Sequence, residues 1–209
     1  MKSDVISVKS DGSGFEQALA QAEAVAAFRS LPKKTALHLR LLTEEMMAML
    51  REITGETAAE FWIEDKDNTF ALHLTASTII SRSKREELLS VSSTGKNAAA
   101  KGVLGKLRDI FECAMDADSM GDLPVYYSHG VIMSTVMAGE DPMTYAFNAD
   151  MAMWSMQHFR DVMGEEKDSN PEAEEAWDEL EKSVVANRAD EVSIGIRGNN
   201  VEMIIYKKY

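Results

Sequence analysis

The sequence predicts an α/β protein, more narrowly an α+β two-layer sandwich with helices packed on one face of a sheet. Three observations predict it. Residues 37–53 carry an apolar stripe at helical spacing (Leu39, Leu42, Met46, Met49, Leu50 and Ile53). Two short segments follow, Glu60–Glu64 and Thr69–Thr75, separated by Asp65-Lys66-Asp67-Asn68, which reads as a hairpin. Near the C-terminal end, Val192, Ile194 and Ile196 alternate, as do Val201, Met203 and Ile205, with Arg197-Gly198-Asn199-Asn200 between them. That is a second hairpin. A helix with one apolar stripe needs an apolar sheet face to cover, and two alternating hairpins supply one.

The remaining elements follow in chain order. Asp4–Val8 reads as a short strand. From about Gly14 to Ser30, Ala18, Ala22, Val25 and Ala26 recur at helical spacing, and Leu31-Pro32-Lys33-Lys34 closes that helix. Residues 115–165 are rich in methionine and aromatic side chains. There Ala152, Met156, Phe159 and Met163 are spaced 4-3-4, which predicts a helix over about 149–163 ended by Gly164. Val125–Val136 reads as strand, with Gly130 as a kink or bulge. Asn170 caps a further helix whose first turn holds Pro171, Glu172, Glu174 and Glu175. Loop 164–171 is the best internal boundary.

Bulk composition bounds the function. The chain has 209 residues, 45% of them hydrophobic, enough for one domain over 1–209 with a divergent Met-rich insertion at about 115–170. No apolar run reaches a membrane span, and no apolar h-region follows Met1-Lys2-Ser3-Asp4. The single cysteine, Cys113, sits in an apolar stretch and reads as a small buried side chain. These features point to a cytoplasmic protein with no membrane association. The net charge of −13 argues against nucleic acid as a partner.

Charge is unevenly spread. Between Arg82 and Arg108 there are seven basic residues against two acidic ones, and between Arg160 and Lys182 ten acidic against three basic. These blocks read as solvated faces that attract each other, or the basic one faces phosphates or an acidic partner. Within it, Ser93-Thr94-Gly95-Lys96-Asn97 is a polar turn leading into a helix that contains Gly102 and Gly105. A helix start with a lysine beside it can hold an anion. It is not a P-loop, because residue 90 is Ser and Asn97 follows the lysine. The ordinary reading is a capped helix with glycines where another backbone packs closely. His38, His73, His129 and His158 have no spacing that gathers metal ligands. His73 alternates with the apolar residues of its strand and points away from their face.

The helix at 37–53 has a second side, on which Leu37, Leu41, Glu44 and Ala48 fall. With the hairpin behind it, this helix resembles the one that carries the catalytic Glu in the GHKL, or Bergerat-fold, ATP-binding family. The layout is closest to the anti-sigma-factor serine kinases, over roughly residues 1–78 and 172–209. The resemblance implies a mixed Bergerat-like sheet, ATP and Mg as ligands, and a regulatory role. It places the catalytic base at Glu44. Nucleotide contacts would come from Glu44, Ala48, Thr78, Ser93, Thr94, Gly95, Lys96, Asn97, Gly102 and Gly105. Two family signatures are missing. Ala48 stands where the family has a metal-holding Asn, and Thr75-Ala76-Ser77-Thr78 lacks the adenine-binding Asp. The resemblance therefore implies weak or absent ATP binding and action through a protein partner, either a sigma-factor-like regulator or a second copy of the chain. Two alternatives are an active ATP-dependent serine kinase or ATPase, and a protein that holds a small apolar ligand at the Met-rich segment.

Overall fold

The computed structural model describes residues 1–52, 58–77, 131–133, 151–197 and 200–209. The elements run β1 (Ile6–Lys9), α1 (Phe15–Phe28), α2 (Lys33–Glu52), β2 (Ala58–Lys66), β3 (Thr69–Ser77), β4 (Val131–Met133), β5 (Met151–Ser155), α3 (Met156–Glu166), α4 (Pro171–Lys182), α5 (Val184–Arg188), β6 (Glu191–Arg197) and β7 (Asn200–Lys208). The strands form one sheet in the order β1-β2-β3-β7-β6-β5-β4. Both hairpins lie in it, joined where β3 pairs with β7. Every pairing among the described residues is antiparallel, so the mixed sheet implied by the resemblance is not found.

Alternation along the strands places the core. On β2, Ala59, Phe61 and Ile63 are buried; on β3, Phe70, Leu72, Leu74 and Ala76; on β6 and β7, Val192, Ile194, Val201, Met203 and Ile205. Cross-strand register stacks these residues on one face, as in Phe61 opposite Leu74, Leu74 opposite Met203, and Met203 opposite Ile194. Leu39, Leu42, Met46, Met49 and Leu50 of α2 join the same cluster, as the helical stripe predicts, and Ile53 lies outside the described residues. Ala18, Ala22, Val25 and Ala26 of α1, Met156, Phe159 and Met163 of α3, Ala173, Ala176 and Leu180 of α4 and Val185 and Ala186 of α5 belong to it as well. Burying one such side chain contributes about 1.5–3 kcal/mol, so the sheet and helix layer hold each other.

Local chemistry explains where the elements differ from the sequence reading. The first hairpin turns on Asp67 and Asn68 alone, with φ of 52° and 60°. Two positive φ values make a type I′ turn, which Asn and Asp tolerate. The strands therefore run through Asp65 and Lys66. Helix α2 begins at Lys33, directly after Pro32, whose carbonyl accepts from Ala36 N at 3.0 Å. The proline starts the helix as well as ending the loop before it.

The predicted helix over 149–163 is instead strand β5 followed by α3. Met151–Ser155 pairs with β6, and the helix starts at Met156. Ser155 caps it by accepting from His158 N at 3.2 Å. Glu191, on β6, supports the same end: its carboxylate accepts from Met156 N at 3.0 Å, Val192 N at 2.8 Å and Ser155 Oγ at 3.2 Å. Gly164 does not stop the helix. A Cβ there would lie 3.1 Å from the Trp177 ring of α4, so the glycine admits the indole.

The corner beside the first hairpin is held by a buried charge. Asp65 is 5% exposed. Tyr209 donates its hydroxyl to Asp65 Oδ1 at 3.0 Å, and Arg29 Nε lies 2.7 Å from Oδ2. The Nε proton is directed at Tyr209, 2.9 Å away, so the Oδ2 contact is an ion pair rather than an aligned hydrogen bond. The Tyr209 ring stacks on Phe70 at 4.4 Å.

Replacing Glu191 with Ala leaves the N–H groups of Met156, Gln157 and Val192 and the Ser155 hydroxyl without their acceptor. The expected loss is about 1–3 kcal/mol, from one charge-assisted capping site. Urea unfolding of Glu191→Ala should show a lower midpoint at unchanged slope. An unchanged midpoint would mean that the carboxylate does not hold this helix.

Candidate functional site

Helix α2 is flanked within its layer by α1 on one side and α5 on the other, which leaves a narrow outward strip. Leu37 (53% exposed), Leu41, Glu44, Ala48 and Arg51 follow one another along it. Glu44 and Arg51 are exposed, and Leu41 and Ala48 are half-buried. Thr43, next to Glu44, is buried and donates its hydroxyl back to Leu39 O at 2.9 Å. Met47 is buried as well, so the covered side of α2 is wider than the six-residue stripe. Arg40 pairs with Glu23 of α1, and the Arg51 guanidinium lies 5.1 Å from the Phe15 ring centre.

This strip does not form a magnesium site by itself. Mg²⁺ takes oxygen ligands, and one turn beyond Glu44 the side chain is the Ala48 methyl. Among the described residues, no group of three or more His, Cys, Asp or Glu side chains could hold a metal ion. Thr78, Ser93, Thr94, Gly95, Lys96, Asn97, Gly102 and Gly105 all lie outside the described residues, as do Cys113 and His129. Of the nucleotide set, only Glu44 and Ala48 are therefore placed, one turn apart and facing outward. No helix among the described residues is long and apolar enough to cross a membrane.

The other side of the molecule carries a second group of residues, on the sheet face away from the helices. Trp62 and His73 are cross-strand partners, and their rings stack at 4.7 Å and 6°. His73 Nδ1 lies 3.0 Å from Glu202 Oε1, which makes Nδ1 the protonated nitrogen. Nε2 is shut off from solvent and has no hydrogen-bond partner. Trp62 Nε1 donates to Glu64 at 3.0 Å, and Lys2 sits 4.4 Å above the indole while pairing with Glu64 at 3.4 Å. The indole N–H, ahead of the charges of His73 and Lys2, holds the Glu64 carboxyl below its usual range. Alternation in the sequence had already turned His73 to this face. What it lacked was the register that sets His73 beside Trp62 and Glu202.

A third cluster lies where α2 meets α5 and β7. Desolvation pushes the His38 imidazole below its ordinary value, and Arg188, Lys207 and Lys34 add to the shift.

Set against known proteins, the chain matches no family model, no curated protein and no solved structure at a significant level. What the fold can do must be argued from these residues.

His38 supplies a pH test. Its folded value is depressed, so the neutral form is favoured in the native state. That stability is fully present above the ordinary imidazole value of about 6.5 and is lost as pH falls through the lower folded value. Urea midpoints measured between about pH 7 and pH 5 should fall more steeply in the wild type than in His38→Gln. Parallel profiles would remove His38 from the acid response.

Proposed function

We propose that the chain is a regulatory protein on a histidine-kinase-like ATPase scaffold, with the layout of the anti-sigma-factor kinases. Its nucleotide site is degenerate, and it acts by binding a protein partner. One observation carries the reading: Glu44 and Ala48 stand one turn apart on the outward side of the helix that covers a sheet joining both hairpins. The element order supports it, with strand, helix, Glu-bearing helix and hairpin first, and helices and a closing hairpin last. The antiparallel sheet departs from the mixed sheet of the family and limits the likeness to the two-layer plan.

The chemistry favours binding over turnover. A carboxylate at Glu44 can accept a proton from water or a hydroxyl. Phosphoryl transfer also needs the metal-bridged phosphates held in line, and Ala48 supplies no ligand for that. The partner in this reading is a sigma-factor-like regulator or a second copy of the chain. The competing reading, an ATP-dependent serine kinase, rests on the accessibility of Glu44 and on Lys96.

Calorimetric titration with ATP and magnesium separates them. One missing buried hydrogen-bond partner costs on the order of 1–3 kcal/mol. Losing the metal contact as well should leave binding about a hundredfold or more weaker than in a complete site. Wild type should bind weakly and without magnesium dependence, and Ala48→Asn should gain a magnesium-dependent component. Micromolar magnesium-dependent binding in the wild type, lost in Lys96→Ala, with turnover lost in Glu44→Ala, would establish the kinase instead.

A further inference from the structure

The outer surface of the helix layer carries two sets of charges without partners among the described residues. Neighbouring helices pack in the order α1, α2, α5, α4 and α3, so α5 lies between α2 and α4. The first set stands where the start of α2 meets α5. Lys34 and His38 are one turn apart on α2, and Arg188 ends α5. Lys33, Lys34 and Arg188 are exposed and make no ion pair among the described residues. Lys207 reaches the same corner but is paired with Asp190 at 3.2 Å. The first turn of α2 holds no acidic residue, although the helix dipole favours anions there and disfavours its two lysines.

The second set is on α4. Ala173, Ala176 and Leu180 face the core, which turns Glu174, Glu175 and Asp178 outward. These three carboxylates are exposed and make no ion pair among the described residues. Lys182, at the helix end, is the cation on that side of α4, while Lys167 is held over the Trp177 ring. On α2 the exposed carboxylate of Glu44 stands ten residues beyond Lys34, about 15 Å along the helix. Apolar surface accompanies the charges: Val184 of α5 is 41% exposed and Leu37 of α2 is 53% exposed.

We propose that this surface pairs two copies of the chain, with α4 of each laid over the start of α2 and the end of α5 of the other. A two-fold axis along α5 achieves this, because α2 and α4 flank α5. Carboxylates of one copy then meet cations of the other, and the contact is made twice. Val184 falls beside its counterpart near the axis. Arg188 acts on His38, so it lies on the α2 side of α5, toward the partner's α4 and away from the axis. Three helices at 8–10 Å spacing form a face roughly 25 Å wide, and α4 is about 18 Å long. Two such faces bury on the order of 1,000 Å², the lower range of a specific interface. The net charge of −13 opposes approach in other orientations, which favours the one that sets cations against carboxylates. The inference gives a surface to the second-copy partner proposed above, and it stands whether or not ATP binds.

The test is sedimentation velocity of the full chain, without nucleotide, from about 1 to 100 μM. A concentration-dependent monomer–dimer equilibrium is expected. Lys34→Glu with Arg188→Glu, and separately Glu175→Lys with Asp178→Lys, should each raise the dissociation constant by about tenfold or more. All four positions are exposed, and a glutamate suits the start of α2, so thermal unfolding should stay close to wild type. Mixed in equal amounts, the two variants should form a one-to-one dimer, because every reversed charge then meets a reversed partner. A wild type that stays monomeric throughout would overturn the proposal. So would dimers that both variants leave intact, or a mixture that associates no better than either variant alone.

Discussion

The pairing of β3 with β7 is the constraint on which the rest of the structure depends. It runs over nine residue pairs, from Thr69 opposite Lys208 to Ser77 opposite Asn200. It joins the unit formed by residues 1–77 to the one formed by 151–209. Closing so long a connection is less costly than its length suggests, because each doubling of a loop adds only about 0.6 kcal/mol. What must be specified is the register. Leu72 opposite Ile205, Leu74 opposite Met203 and Ala76 opposite Val201 fix it, since a slip of one residue would turn every one of them to the open face.

The same register determines the outer side of the sheet. Once Leu72 and Leu74 face the helices, His73 must face away, and β7 then brings Ile204 and Glu202 beside it. The Trp62–His73 stack and the Glu60–Thr75–Glu202 row are therefore consequences of core packing as much as of their own attractions. Exposed ion pairs contribute little, about 0–1 kcal/mol each.

Local signals were legible in the sequence wherever one segment decided its own structure. The stripe of α2, the alternation of both hairpins and the helix start at Pro171 needed only neighbours a turn or two away. The reading failed where a distant strand decided. Ala152, Met156, Phe159 and Met163 fit a helical period, but β6 supplies a pairing edge for Met151–Ser155, and Glu191 together with Ser155 then starts the helix at Met156. β6 and its Glu191 are distant in sequence. Gly164 failed for the same reason: a glycine reads as a stop until the Trp177 ring behind it is known. For the candidate site, sequence reasoning placed Glu44 and Ala48 on the outward strip and turned His73 outward. It could not set Glu202 and Ile204 beside His73, because register between strands more than a hundred residues apart leaves no local trace.

His73 also indicates what kind of surface the open face is. An imidazole nitrogen closed off from water without a hydrogen-bond partner costs on the order of 1–3 kcal/mol, and Nε2 is in that state. A threonine at this position would suit a solvated strand at no such cost. The histidine is held by the indole face on one side and by Glu202 through Nδ1. In return it packs on one face of the Trp62 indole, whose N–H donates to Glu64 while Lys2 lies over the ring. The cost at Nε2 is thus set against contacts that hold the Trp62 indole in one orientation. The α2 strip has no such lock: its carboxylate stands among an alanine, leucines and an arginine on a single helix.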